Sequence, residues 1–127
     1  MKNKILKNKI ADELRKLGIK VKEDARIKGD SGIVHRFDLR VHNELNKTAV
    51  IDIAKNKPTD EVTILNMQIK LYDTNLIGLG IILSERFTMQ AKKLACSYKI
   101  SLVEGKRIKR LIKGLKDALS RILDISS

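Results

Sequence analysis

The sequence predicts an α/β domain in which a mixed β-sheet is flanked by helices on both sides, in the order α-β-β-β-α-β-α-β-α. Three observations predict it. Four segments carry apolar residues at helical spacing, short runs rich in Ile, Val and Leu lie between them, and one run, Leu76–Leu83, is apolar on both faces. A strand of that kind is covered on each side, which places helices on both faces of the sheet. With 127 residues and no internal repeat, the chain reads as one domain spanning residues 1–127.

Each element has its own signal. Ile5, Ile10, Leu14 and Leu17 recur at near-helical spacing and Gly18 follows as a stop, so residues 3–17 form an amphipathic helix. Ile19 to Ile27 alternates apolar and charged residues, as a half-exposed strand does, and ends at the turn Gly29–Gly32. A second strand, Val34–Val41, is joined through the polar loop His42–Lys47 to a third, antiparallel strand, Thr48–Ala54. Thr59 is the expected N-cap of the next helix, which has Asp60 and Glu61 in its first turn and Val62, Leu65, Ile69 and Tyr72 as its inward stripe.

In the strand Leu76–Leu83, Gly78 and Gly80 share a face and admit close approach of a helix. A helix from about Ser84 or Thr88 to Tyr98 turns Phe87, Ala91, Leu94, Ala95 and Tyr98 inward, with Cys96 as a small core residue. Ile100–Val103 is a short strand and Glu104-Gly105 a turn. The last helix, basic on its outer side, runs from about residue 106 to 125 on the stripe Ile108, Leu111, Ile112, Leu115, Leu119 and Ile122. Gly114 inside it costs roughly 1 kcal/mol relative to alanine.

Composition narrows the function. The 27 Lys/Arg against 15 Asp/Glu give a net charge of +12, a field that favours polyanions. The excess sits at the two ends, with ten bases against four acids in residues 1–28 and eight against three in residues 99–127. Aromatics are only 3% and tryptophan is absent, so base-stacking platforms are not expected. One cysteine and two histidines exclude a disulfide framework within the chain, a cysteine-rich zinc site and a multi-histidine metal site. Charges throughout residues 1–17 leave no signal-peptide or membrane-spanning core, so a cytoplasmic protein is expected. Abundant Ile and Lys is consistent with a thermophile's protein.

Strand parity then groups the polar residues. On the second strand Phe37, Leu39 and Val41 share one face, and Arg36, Asp38 and Arg40 the other. On the third strand Asp52 lies with Val50 and Ala54, opposite Ile51, Ile53 and Lys55. If the hairpin brings Asp38 and Asp52 together, two carboxylates converge, and such a pair can hold Mg²⁺ with water and phosphate. The structural alternative makes Asp38 a salt-bridge partner of Arg36 or Arg40 and Asp52 a partly exposed edge acid.

The stretch "GIILSERFTMQAKKLACSYKISLVEGKRIKRLI", the Gly29–Gly32 turn, the strand "HRFDLRV" and the strand "AVIDIAK" together resemble the Mrr-like, restriction-endonuclease-like domains of the PD-(D/E)XK nuclease superfamily. The likeness covers roughly residues 3–118. It implies Asp38 and Asp52 as the metal-binding acids, Mg²⁺ as cofactor and DNA as substrate. It also implies a lysine two residues after Asp52, where this chain has Ala54. Lys55 points to the opposite face. Arg36 and Arg40, on the face of Asp38, and Lys70, on the following helix from which some members of the superfamily recruit a migrated lysine, are the candidates to replace the missing cation. Related resolvases keep a glutamate on the first helix, where Lys7 falls here.

The basic residues Arg36, Arg40, Lys106, Arg107, Lys109, Arg110 and Lys113 are the expected nucleic-acid contacts. The implied function is a nucleic-acid-binding nuclease-fold protein with a weakened or rearranged endonuclease site. The competing readings are an inactive nuclease fold that binds DNA, and one that docks another protein in repair or transcription. A homodimer is also expected, since related nucleases pair to cut two strands.

Overall fold

The computed structural model describes residues 2–55 and 57–123, so the expected helical position Ile125 lies outside the described residues. Nine elements follow in the expected order: α1 (Lys2–Lys16), β1 (Lys20–Lys28), β2 (Val34–His42), β3 (Thr48–Ile53), α2 (Glu61–Asp73), β4 (Gly80–Ser84), α3 (Met89–Tyr98), β5 (Ser101–Glu104) and α4 (Ile108–Leu123). The strands form one sheet in the order β1-β2-β3-β4-β5. β1, β2 and β3 pair antiparallel, whereas β3, β4 and β5 pair parallel through the crossover helices α2 and α3.

Each face of the sheet has its own core. One packs Leu39, Val41, Ala49, Ile51, Ile53, Ile81 and Leu83 against Ile10 and Leu14 of α1 and Leu111, Leu115 and Leu119 of α4. The other packs Val50 and Ile82 against Ile64, Met67 and Leu71 of α2 and Ala91 and Ala95 of α3. The alternation of Ile81, Ile82 and Leu83 between the two cores is what a doubly covered strand requires.

Several expectations are corrected. The inward stripe of α2 is Ile64, Met67 and Leu71, while Val62, Leu65, Ile69 and Tyr72 are exposed. Both sets have helical spacing, and the entry to the helix decides between them. Thr59 is fully buried and backbone-paired to the Arg86–Thr88 segment, with its N–H donating to the Arg86 carbonyl and its own carbonyl accepting from Thr88. Asp60, not Thr59, is therefore the N-cap, its carboxylate accepting from the Val62 N–H.

Residues 76–79 form a turn ahead of β4, and Gly78 is a left-handed turn residue (φ 84°) with open space around it. Gly80 alone makes the close approach: a Cβ there would lie 2.7 Å from Leu71 of α2. Cys96 is exposed rather than a core residue.

Phe37 departs from the parity expectation. It packs in the α2–α3 core although Leu39 and Val41 pack in the α1–α4 core. The register of β2 on β3 runs only from His42–Thr48 to Leu39–Ile51, so before Leu39 strand β2 travels with β1 alone. Two-stranded ribbons twist more than wide sheets, and this one curls over α2. Its tip is fastened there. Asp73, at the end of α2, accepts from the Ser31 N–H and hydroxyl and pairs with His35 Nε2 at 2.7 Å.

Candidate active site

The departure of β2 from β3 creates a fork, and the two acids occupy it. Continuing the register beyond Leu39–Ile51 sets Asp38 opposite Asp52. At that point each carboxylate replaces a ladder bond. The Asp38 N–H donates to Asp52 Oδ1 at 2.9 Å, and the Ile53 N–H donates to Asp38 Oδ2 at 2.7 Å. A half-buried acid in β3 thus has a local physical reason, because parted strands leave N–H groups that need acceptors.

Cations close the arrangement. Lys70, on α2, donates from Nζ to Asp52 Oδ2 at 2.5 Å and to the Arg36 carbonyl at 2.7 Å, and its ammonium stands 4.4 Å from the centre of the Phe37 ring. Arg36 donates from Nη2 to Asp38 Oδ1 at 2.9 Å and to Asp24 Oδ1 at 2.6 Å. Arg36, Asp38, Asp52 and Lys70 therefore form a closed ring of contacts. Asp24 is held in turn by Lys7 of α1 at 2.8 Å. Three cations and three carboxylates leave the cluster formally neutral.

The electrostatics follow from these contacts. Hydrogen bonds from Lys7 first, and then from Arg36, hold the Asp24 carboxyl below its ordinary range. Asp24 in turn is the main reason that the Arg36 guanidinium is held above its own.

The expected residues divide clearly. Asp38, Asp52, Lys70 and Arg36 meet at the fork. Arg40 is half-buried and makes no ion pair among the described residues, so it is not the partner of Asp38. Ala54 packs partly buried against the α2–α3 core, leaving Lys70 as the ammonium at the acids. Lys106, Arg107, Lys109 and Arg110 line a separate cleft, and Lys113 lines a groove one turn farther along α4. His35 belongs to the hairpin anchor at Asp73.

Sequence reasoning missed Asp24 and gave Lys7 no role. Asp24 lies opposite Asp38, between the pairs Glu23–Leu39 and Ala25–Phe37, and its φ of 50° is one that Asp tolerates better than most residues. The only signal was a pair of adjacent acids, Glu23-Asp24, in the middle of a strand.

Two carboxylates of hard oxygen donors suit Mg²⁺, which is bound through one or two carboxylates with water and substrate phosphate. Each oxygen already accepts one hydrogen bond and keeps a second lone-pair direction. No group of three or more His, Cys, Asp or Glu that could hold a metal ion is present among the described residues. Asp38 and Asp52 alone would leave most of the shell of such an ion to water and phosphate.

No family model matches the chain, and no curated protein matches it in sequence. Solved structures do match in fold. The crystal structure of a protein of unknown function superposes with a TM-score of 0.67 at 18% identity, over 95% of this chain and 71% of that one. The crystal structure of a repair endonuclease from Pyrococcus abyssi superposes with a TM-score of 0.58 at 16% identity, over 76% of this chain. This chain spans 43% of that endonuclease. The mixed α/β fold is shared with part of that endonuclease, in agreement with the element order read from the sequence.

Proposed function

We propose that the chain is a nucleic-acid-binding protein whose nuclease fold keeps a rearranged Mg²⁺-dependent phosphodiesterase site, with DNA as the substrate. One observation carries the reading: the Lys70 ammonium, delivered from α2, stands on the Asp52 carboxylate directly beside Asp38. That is the cation which Ala54, just past the end of β3, fails to supply. In this reading the site is a rearranged one of the Mrr-like kind.

Asp38 and Asp52 would hold the ion. When bound, Mg²⁺ supplies Lewis-acid polarisation of a phosphodiester. Lys70 contributes a fixed positive charge where negative charge grows on the phosphorus oxygens. Arg36 keeps the Asp38 carboxylate oriented through one oxygen while the Ile53 N–H holds the other. Phe37 and the Arg36 carbonyl restrict where the ammonium can go, which limits the reorganisation needed at the reaction.

A second reading has its own support. All four oxygens of the two acids are engaged without a metal, an arrangement that also serves a fold retained only for binding. Supercoiled and branched DNA incubated with Mg²⁺ or Mn²⁺ separates the two. The proposal expects cutting by the wild type and none by Asp38→Ala, with DNA binding kept in both. Binding without cutting in either protein leaves the binding-only reading standing.

A further inference from the structure

We infer that the cleft at the C-terminal ends of β4 and β5 is a second nucleic-acid site, one that seats the sugar-phosphate backbone of a strand and reads no bases. The inference rests on the nucleic-acid side of the proposed function and not on its chemistry.

The cleft has a volume of about 980 Å³ and is lined by seven cations and two carboxylates. Lys57 is held by Glu85 at 2.6 Å and Lys92 by Glu104 at 3.5 Å. Arg86, Lys106, Arg107, Lys109 and Arg110 are exposed and make no ion pair among the described residues. The Glu85 carboxyl registers the resulting field. It is held below its ordinary value by the hydrogen bond from Lys57, and then by the charges of Lys57, Lys106 and Arg86.

An independent feature points the same way. The cleft opens at the N-terminus of α4, a helix of 16 residues whose first turn holds no acid. Acids stabilise that end of a helix and cations oppose its dipole, yet Lys109 and Arg110 stand there. A bound anion meets the positive end of that dipole and relieves the crowded cations. Stability is conceded locally, as at functional sites generally.

Position and composition name the ligand. β3, β4 and β5 run parallel, so Ile53, Ser84 and Glu104 end along one rim, and Asp52 is one residue back from it. Adjacent strands are about 4.8 Å apart, which puts the β5 end roughly 10 Å from the β3 end. A single backbone crossing the rim reaches both the cleft and the acids. Phe87 is the one aromatic in the lining and is only 4% exposed, so no ring is offered to a base. Contacts to phosphate alone position a strand without reading its sequence.

The test is equilibrium binding of a short fluorescein-labelled DNA duplex, in EDTA so that no cleavage enters, across a range of salt. Arg107→Glu/Lys109→Glu is compared with Lys20→Glu/Lys22→Glu, which removes the same charge from β1 at the opposite edge of the sheet. Glutamates at the start of α4 complement its dipole, so the cleft variant keeps its fold, which a melting curve checks. The expected result is binding weakened by about tenfold or more, with a log–log salt slope reduced by about two, for the cleft variant. The β1 variant should lose less than about threefold. Equal losses in the two variants, no loss in either, or no binding by the wild type at low salt overturns the inference. Loss of cutting by Asp38→Ala with this binding pattern intact concerns the carboxylate site alone.

Discussion

Replacing Lys70 with methionine keeps the aliphatic stem and removes the ammonium, and the structure sets the size of the effect. The charge serves Asp52, the Arg36 carbonyl and the Phe37 ring together. The side chains of Lys70 and Asp52 are 22% and 20% exposed, so the pair lies between an exposed one, worth about 0.2–1 kcal/mol, and a buried one, whose breaking costs about 3–5 kcal/mol. A loss of about 2 kcal/mol is expected. At about 2.1 cal/mol/K of unfolding entropy per residue, a domain of this length then melts roughly 7 °C lower. Differential scanning calorimetry reads that shift directly.

The catalytic arm of the same variant is larger. Removing one preorganised positive group from developing charge costs about 10²–10³ in kcat, measured as Mg²⁺-dependent cutting of DNA. Ala54→Lys added to Lys70→Met should restore part of the rate, because residue 54 follows Asp52 on the same strand face. An unchanged melting point refutes the geometry of the pair. A Lys70→Met protein that cuts at the wild-type rate refutes the role given to the ammonium.

Two further outcomes follow from single contacts. Asp73 is held below its ordinary 3.8 by the Ser31 hydroxyl first and by His35 next, so its stabilising contribution is present above that value and lost as pH falls through the lower folded-state pKa. Asp73→Asn should therefore lower the melting temperature at pH 7 and flatten the acid limb of a stability–pH curve, and a parallel downward shift at every pH would count against this assignment. Gly114→Ala tests packing against propensity: helix propensity alone favours alanine by about 1 kcal/mol, but a Cβ would meet Val103 Cγ1 at 2.7 Å. Overpacking costs about 1–3 kcal/mol, so the variant should melt lower, and a higher melting temperature would falsify the close approach of α4 to β5.

The element order was legible in the sequence because it depends on local periodicity. Leu111, Leu115 and Leu119 on α4, and the two-sided run Ile81-Ile82-Leu83, have one reading each. Parity likewise put Asp38 and Asp52 on faces that a hairpin could join. The stripe of α2 was not legible. Ile64, Met67 and Leu71 compete with Val62, Leu65 and Ile69 at the same spacing, and the docking of Thr59 against the Arg86–Thr88 segment, far away in sequence, chooses between them.

By itself, then, the sequence determined the order of helices and strands, that the sheet is covered on both faces, and that two acids and an excess of cations were available. The tertiary structure alone decided what those groups do to one another. Whether Phe37 follows Leu39 into one core or crosses to the other depends on where β2 leaves β3, which is a property of the pairing and not of alternation. The same parting of strands gives Asp52 the Asp38 N–H, gives Asp38 the Ile53 N–H and opens the place that Lys70 fills from α2. Periodicity fixes a side chain's direction within its own element, and only the packing of one element on another fixes its neighbour.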